Sequence, residues 1–309
     1  MTSTELRSAQ EPSTKLPSTK LPPAEQPPAG EFGREGASPF DTVRAIFWLA
    51  VLIVAALVLL PVQMIAHALK LPARHTVPML FHRVALAALG TKVTVRGEPT
   101  THRPVLYVPN HVSWMDIVVL GSLAPVSFVA KSEVATWPVF GYLAKLQRSI
   151  FVDRERRHAT PKTADEMIER MREGEPVVLF AEGTSSDGNR ILKFRGALIG
   201  AAESLARATG ESVWIQPIAL AYRRINGLPA GRQHRPRMSW AGDIAMIPHA
   251  WAMLKDGAVD VDVIFGNPVP FDPSADRKAI AHYLEARVRS LHSAALTGKD
   301  DSLPPLSSL

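Results

Sequence analysis

The chain has 309 residues, 46% of them hydrophobic, so it can bury a full core in one or two domains. It contains no cysteine, which excludes disulfides, thiolate metal sites and a cysteine acyl-enzyme. A formal net charge of +6 predicts an anionic partner: nucleic acid, a membrane surface, or an acidic carrier or phosphate-bearing substrate. Aromatic residues make up only 7% and no basic run alternates with them as a stacking platform, which argues against nucleic acid.

The N-terminal 41 residues predict a disordered tail. They are rich in Pro, Ser, Thr, Glu and Gly, and they repeat Ser-Thr-Lys-Leu-Pro between residues 13 and 22. They lack the layout of a signal peptide, since the first long apolar stretch begins only after residue 44. Residues 297–309 at the other end are polar and contain prolines, so we expect a loose tail there as well.

Residues 42–92 predict a membrane helix followed by an interfacial segment. Residues 45–66 carry no charge, and this length is sufficient for the hydrocarbon core of about 30 Å. The alternative is a long buried helix of the globular domain, which hydrophobicity on all faces disfavours. We expect Pro61 to kink the helix or to mark its end. A second apolar stretch at 77–89 is too short to cross, so it should lie along the interface or dock on the membrane-facing side of the domain.

The charges that flank the apolar segment indicate its orientation. Lys70, Arg74 and Arg83 follow it, whereas Arg34 and Arg44 precede it. This small excess of positive charge predicts that the folded domain lies on the cytoplasmic side.

Between residues 93 and 296, short apolar runs alternate with helical patterns, which predicts an α/β domain. The predicted strands are 105–108, 126–130, 150–152, 177–180, 214–222, 238–241 and 259–265. The predicted helices are 113–123, 136–146, 161–172, 197–208, 248–254 and 275–296.

The first polar motif follows the strand at 105–108, and open α/β sheets bind their ligands at the carboxyl ends of strands. His111 and Asp116 are five residues apart, a spacing that would separate two helical side chains by about 140°. They can meet only if His111 precedes the helix and Asp116 lies in its first turn, with Ser113 as N-cap of a capping box. Asp116 could then hold one imidazole nitrogen while the other takes a proton. The alternative is a simple cap beside an ordinary strand-end histidine.

The second motif follows the predicted strand at 177–180. Glu182 opens a loop of small polar residues at 183–188, which leads through Lys193 and Arg195 to a helix. Such a loop can bring backbone N–H groups close to a polar substrate. It lacks the Gly-Lys-Ser/Thr of a Walker loop. The alternative is an ordinary strand-to-helix connection.

Together the motifs resemble the glycerolipid acyltransferase family, which includes the bacterial 1-acylglycerol-3-phosphate acyltransferases. The family's first block, Asn-His-x-Ser-x-x-Asp, is matched at 110–116, and its second stands at 150–154 as Ile-Phe-Val-Asp-Arg. The third stands at 180–186 as Phe-Ala-Glu-Gly-Thr-Ser-Ser, and a strand bearing a proline at 215–218 fits the fourth. Four blocks occur in order over roughly residues 93–225.

This resemblance implies an α/β fold with a mixed central sheet flanked by helices. It implies that His111, assisted by Asp116, deprotonates the acceptor hydroxyl, which attacks the thioester of an acyl-carrier protein or of acyl-CoA. A thioester is already activated, so the reaction requires a base, placement and oxyanion stabilisation, but no metal, cofactor or covalent nucleophile. The other positions expected to bind the acceptor are Arg154, Glu182, Gly183, Thr184, Ser185 and Ser186.

Ser185 departs from the family pattern. Phosphate-handling members are expected to grip the acceptor phosphate with an arginine there, and a serine cannot supply that charge. The loop looks more like the branch that acylates lyso-ornithine lipid, which has no phosphate. Arg154, Lys193 or Arg195 could still bind a phosphate, so 1-acylglycerol-3-phosphate remains the alternative acceptor.

Two further classes of function are open. One is a non-catalytic, membrane-tethered lipid-binding module, which would bind without turnover. The other is a thioester hydrolase, in which water replaces the acceptor. For the acyltransferase we expect a bacterial inner membrane location, with the catalytic domain on the cytoplasmic face.

Overall fold

Two helices lead into an α/β domain in the computed structural model, which describes residues 38–152, 161–242 and 244–298. The helices are α1 (Pro39–Ala68), α2 (Ala73–Ala88), α3 (Met115–Leu123), α4 (Phe140–Leu146), α5 (Pro161–Arg172), α6 (Gly196–Thr209), α7 (Met246–Asp256) and α8 (Arg277–Thr297). Short 3-10 helices lie at Ser132–Thr136 and Arg235–Arg237. Residues 1–37 and 299–309 of the two predicted tails, and the predicted site residue Arg154, lie outside the described residues.

The first helix begins at a complete capping box. The Ser38 hydroxyl accepts a hydrogen bond from the Phe40 backbone N–H, and Asp41 accepts one from the Ser38 backbone N–H. Pro61 lies inside α1, so the expectation that it could end the helix is wrong. Two residues after the proline, Gln63 is buried and donates to the carbonyls of Arg74 and Leu146, so this part of the helix is hydrogen-bonded to the rest of the protein.

A single mixed sheet forms the centre of the domain. Its strands are β1 (Lys92–Arg96), β2 (Val105–Pro109), β3 (Ser127–Lys131), β4 (Ile150–Val152), β5 (Val177–Val178), β6 (Val213–Ile225), β7 (Leu228–Pro229), β8 (Val259–Phe265) and β9 (Val269–Phe271). The order is β1-β8-β6-β2-β5-β3-β4, with β7 and β9 also paired to β6. Strand β6 pairs in parallel with β2 and antiparallel with β7, β8 and β9. The mixed sheet flanked by helices is therefore confirmed.

Both faces of the sheet are covered, so the central strands are buried throughout. In β2, Val105 and Tyr107 pack into a core with α2 and α3, whereas Leu106 and Val108 pack into a second core with α5, α6 and α8. This accounts for the continuous apolar run of β2, because a strand buried on both faces shows no polar alternation.

The pairing of β2 with β5 positions the two sequence motifs. The strands run parallel, with Leu106 opposite Val177 and Tyr107 opposite Val178. Their carboxyl ends therefore meet at one edge of the sheet, and the segments at 110–116 and 182–188 leave the sheet side by side.

One predicted strand does not form. Residues 238–241 follow a 3-10 turn and pair with no strand. Their polar groups instead bind two loops. The Trp240 backbone N–H donates to the Val112 carbonyl at 2.9 Å, and the Ser239 hydroxyl donates to the Ser186 carbonyl at 2.5 Å. The prediction was wrong because a short run with apolar residues can also form a buried loop, and this one packs against the two loops at the edge of the site.

Candidate active site

His111 and Asp116 form a hydrogen-bonded pair at the carboxyl end of β2. The imidazole Nδ1 lies 2.8 Å from Asp116 Oδ2. His111 lies in the turn between β2 and α3, and Asp116 lies in the first turn of α3, as the spacing requires. The His111 side chain is 11% exposed, whereas Asp116 is fully buried. With a carboxylate holding Nδ1, the imidazole keeps Nε2 for a substrate proton.

Four donors surround the Asp116 carboxylate. Oδ2 accepts from His111 Nδ1 and from the backbone N–H groups of Val112 and Ser113, at 2.7 and 2.9 Å. Oδ1 accepts from the Tyr222 hydroxyl at 2.6 Å. A buried charge is tolerated when it is hydrogen-bonded in this way, and the bonds fix the orientation of the carboxylate.

Tyr222 is a site residue that the sequence analysis missed. It lies on β6, 106 residues from its partner, and it is 2% exposed. Burial raises the pKa of its hydroxyl well above the ordinary value, and the neighbouring Asp116 charge raises it further. The hydroxyl therefore stays protonated and donates to Asp116. In the sequence it is one apolar position of a long buried strand, so no local signal marked it.

Only one of the two hydrogen bonds of the predicted capping box at α3 is present among the described residues. Asp116 accepts from the Ser113 backbone N–H, but the helix begins at Met115. The Ser113 hydroxyl is buried and has no hydrogen-bond partner among the described residues, so its predicted role as the cap is wrong. The Asp116 carboxylate accepts from the backbone N–H groups of Val112 and Ser113, and the Ser113 hydroxyl takes no part in these hydrogen bonds.

Phe180 covers one face of the His111 imidazole. Its ring stacks on His111 with centroids 4.0 Å apart and planes 24° apart, and it is 3% exposed. This contact excludes water from that face and limits rotation of the histidine.

Glu182 joins the two motifs through the backbone. One carboxylate oxygen accepts from the His111 N–H and the other from the Leu192 N–H, both at 2.9 Å. Burial raises the pKa of Glu182 to about 8, more than these two backbone hydrogen bonds lower it. The carboxyl group is directed into the protein, where it fixes the His111 backbone. Its expected contact with the acceptor stays a prediction.

The loop at 183–186 passes directly beside His111. The Ser186 N–H donates to the His111 carbonyl at 2.8 Å, which joins the loop to the backbone of His111. The Ser185 hydroxyl donates to the Trp240 carbonyl, and the Thr184 side chain is exposed. Gly183 has φ of +73°, a conformation that favours glycine. All four predicted loop positions are thus brought to the site edge, where their binding roles stay predictions.

Asn110 precedes His111, and its side chain extends the hydrogen-bonding pattern of the sheet. Its amide donates to the Leu220 carbonyl at 3.1 Å, and its side-chain oxygen accepts from the Leu220 N–H at 2.7 Å. This pair imitates one more strand hydrogen-bond pair with β6, so it sets the point where the chain leaves the sheet towards His111. Among the described residues, no group of three or more metal-ligating side chains is close enough to hold an ion.

Known proteins with similar sequences and folds carry lipid acyltransferase names. A family model described as Acyltransferase matches residues 92–221. The lyso-ornithine lipid O-acyltransferase of Rhizobium meliloti (strain 1021) is 46% identical over 81% of this chain and 86% of its own length. The protein of that name from Brucella abortus (strain 2308) is 44% identical, over 84% and 97%.

More distant relatives carry the names of acyltransferases with phosphate-bearing acceptors. A 1-acyl-sn-glycerol-3-phosphate acyltransferase from Neisseria gonorrhoeae is 29% identical over 67% of this chain and 77% of its own. The crystal structure of the 1-acyl-sn-glycerophosphate (LPA) acyltransferase, PlsC, from Thermotoga maritima superimposes with a TM-score of 0.56. The superposition covers 83% of this chain and 95% of the Thermotoga maritima chain. At 20% sequence identity it shows a similar fold.

Proposed function

This chain belongs to the acyltransferase family and is a lyso-lipid acyltransferase, and from that premise we propose that its acceptor is lyso-ornithine lipid. The observation that carries the choice is the identity of 46% and 44% to two proteins of that name, against 29% to a 1-acyl-sn-glycerol-3-phosphate acyltransferase. The site supports it, because Ser185 uses its hydroxyl on the Trp240 carbonyl and offers no positive charge for a phosphate.

In the proposed reaction His111 acts first as base and then as acid. Its Nε2 takes the proton of the acceptor hydroxyl, and the oxygen attacks the carbonyl carbon of the fatty acyl thioester. The tetrahedral intermediate expels the thiolate, which takes the proton back from the imidazolium, so that an ester and a free thiol result. The Asp116 charge at 2.8 Å stabilises the imidazolium between the two steps.

The donor in this proposal is the thioester of an acyl-carrier protein or of CoA. Both donors are anionic, which suits the net charge of +6 and the exposed arginines near the site loop, Arg190 and Arg232. Supplying one acyl chain on each donor in turn, and comparing kcat/KM, separates them.

We propose further that α1 attaches the protein to the bilayer. By length and composition it could cross a membrane. Its outward face carries large exposed apolar side chains: Phe40, Val43, Ile46, Phe47, Ile53, Val54, Leu57, Val58 and Ile65. A face of this kind needs an apolar surrounding, and lipid supplies it.

Contacts at both ends of α1 support a position in one leaflet. Arg44 donates to the Leu254 and Lys255 carbonyls at the end of α7, at 3.1 and 2.6 Å, while Gln63 donates to carbonyls of the domain. Nineteen residues of helix span about 28 Å, so α1 lies along the domain over nearly the thickness of the hydrocarbon core. A perpendicular α1 would carry the polar domain into the bilayer with it.

The experiment that tests the acceptor is acyl transfer by the full chain with two lyso-lipids. We expect a higher kcat/KM with lyso-ornithine lipid than with lysophosphatidic acid. The reverse order would overturn the proposed acceptor and favour phosphatidic acid synthesis. Hydrolysis of the thioester at the same rate without any acceptor would indicate a hydrolase, and lipid binding without turnover a binding module.

A further inference from the structure

An arginine lies across the backbone of the site loop. Arg195 precedes α6, and its guanidinium and Cδ approach Gly183 so closely that a Cβ there would lie 2.9 Å from Nε and 3.1 Å from Cζ. Gly183 follows Glu182, the residue whose carboxylate holds the His111 backbone. The positive charge therefore stands at the loop next to the base.

This guanidinium is free to bind a ligand. Arg195 is exposed, and among the described residues its side chain makes no hydrogen bond or ion pair. Its backbone is fixed, since its N–H donates to the Ala181 carbonyl at 2.8 Å. An anchored backbone beside an unpaired side chain holds the cation near the site without neutralising it.

The loop itself offers no alternative cation. Residues 182–188 contain no lysine or arginine, and their one solvent-facing hydroxyl acceptor, Thr184, is neutral. The neighbouring Ser185 hydroxyl is bonded to the Trp240 carbonyl. An acceptor that carries an anionic group and places its hydroxyl at His111 would therefore find no countercharge within residues 182–188, whereas the Arg195 guanidinium lies directly against Gly183.

We propose that Arg195 binds the anionic group of the acceptor lipid, which in the proposed function is the carboxylate of the ornithine headgroup. Guanidinium presents two parallel N–H donors that match a carboxylate, and it matches a phosphate equally well. The shared chemistry is a two-oxygen anion, and the identity of the lipid decides its source. Gly183 borders this subsite, since a Cβ there would meet the Arg195 side chain at its present position.

The test compares acceptors with and without the charge. Lyso-ornithine lipid and its carboxyl methyl ester are supplied to the full-length wild type, Arg195→Gln and Arg207→Gln. Arg207 is a matched control: it is an exposed arginine near the far end of α6, paired with Glu203 at 2.8 Å. Unfolding temperatures of the three proteins show whether each is folded.

We expect the wild type to lose about 10- to 100-fold in kcat/KM on the ester, the usual effect of removing a charged hydrogen bond. Arg195→Gln should lose as much on the free acid and should not distinguish acid from ester, whereas Arg207→Gln behaves as wild type. An Arg195→Gln enzyme that keeps the full preference for the acid would overturn the proposal. If Arg195→Gln does not fold, Arg195→Lys takes its place, since it keeps the charge but loses the paired N–H donors. It should show a smaller preference for the acid over the ester. A preference equal to that of the wild type overturns the proposal.

The proposal rests on the proposed acceptor, but its failure is distinguishable. If the wild type acylates lysophosphatidic acid and leaves lyso-ornithine lipid unchanged, the proposed acceptor falls. The same comparison is then made between lysophosphatidic acid and uncharged monoacylglycerol. Loss of the preference for phosphate in Arg195→Gln supports the anion subsite, and retention of it refutes the subsite.

Discussion

The Asp116 carboxylate connects His111 to the sheet, because among the described residues its second oxygen is held by Tyr222 alone. Tyr222→Phe removes that donor and leaves a buried carboxylate oxygen unpaired. The loss of a partner for a buried polar group costs about 1–3 kcal/mol. We expect kcat to fall about tenfold or more while KM changes little, because Tyr222 acts through Asp116. Steady-state kinetics measure this split.

A tyrosine outside the site is the control for this substitution. Tyr142→Phe changes an exposed side chain on α4 and should leave both constants unchanged. A Tyr222→Phe enzyme with the kcat of the wild type would show that the hydrogen bond at 2.6 Å does not position Asp116.

The Glu182 carboxyl group should make folding stability depend on pH. Its pKa is raised from 4.5 to about 8, so the folded protein binds the proton that the unfolded chain has released between these values. This contribution to stability is fully present below about pH 4.5 and is lost as the pH rises towards about 8. Unfolding midpoints across this range should fall less steeply in Glu182→Gln, although that variant is less stable throughout because one backbone N–H loses its acceptor. Equal slopes would contradict the assignment.

Single residues were predictable where one short motif contained both partners. His111 and Asp116 lie five positions apart and meet as the spacing requires. Tyr222 and Trp240 come from distant segments, and their sequence neighbourhoods are those of ordinary buried residues. A partner brought in by the sheet cannot be read from either segment alone.

Helices and strands were predictable where the sequence changes abruptly from apolar to polar residues or glycine at their ends. Strands β4 and β8 and helix α5 occupy the predicted residues, because charged or small polar residues border each apolar or amphipathic run. Strand β1 was missed since it is exposed along most of its length and alternates with basic residues. Helix α1 continues through Pro61, and the hydrogen bond from Gln63 to the Leu146 carbonyl links it to a segment 83 positions away, which the local sequence does not reveal.

That contact yields a prediction at the scale of the element. Gln63→Leu removes the donor to the Arg74 and Leu146 carbonyls, and two lost hydrogen bonds should cost about 1–3 kcal/mol. We expect a lower unfolding temperature in detergent. Val62→Leu, at the adjacent exposed position, should leave it unchanged. Equal temperatures for both variants would show that Gln63 does not hold α1 to the domain.

At the scale of the whole molecule, the proposed attachment of α1 to the bilayer can be tested by labelling. The chain has no cysteine, so Ser38→Cys and Lys70→Cys each introduce a single thiol, one at either end of α1. A helix within one leaflet predicts that a membrane-impermeant maleimide labels both thiols from the cytoplasmic side. Labelling of one thiol from each side would show that α1 crosses the membrane.

The sheet also explains how two distant motifs meet, since His111 and Glu182 lie 71 positions apart in the chain. The parallel pairing of β2 with β5 brings their carboxyl ends to one edge, and Glu182 then joins the His111 backbone to the site loop. The class of fold and the presence of the site followed from ordered motifs. The side-chain geometry depended on pairings that no single motif contains.

Acyl transfer by a His111→Ala enzyme tests the account most directly. The full-length variant, the wild type and the matched control His282→Ala, which changes an exposed histidine on α8, receive a fatty acyl thioester and lyso-ornithine lipid. Loss of the general base should lower kcat by about 10²- to 10⁴-fold in His111→Ala, with the control equal to wild type. Acylated lipid formed by His111→Ala at the rate of the wild type would contradict the mechanism.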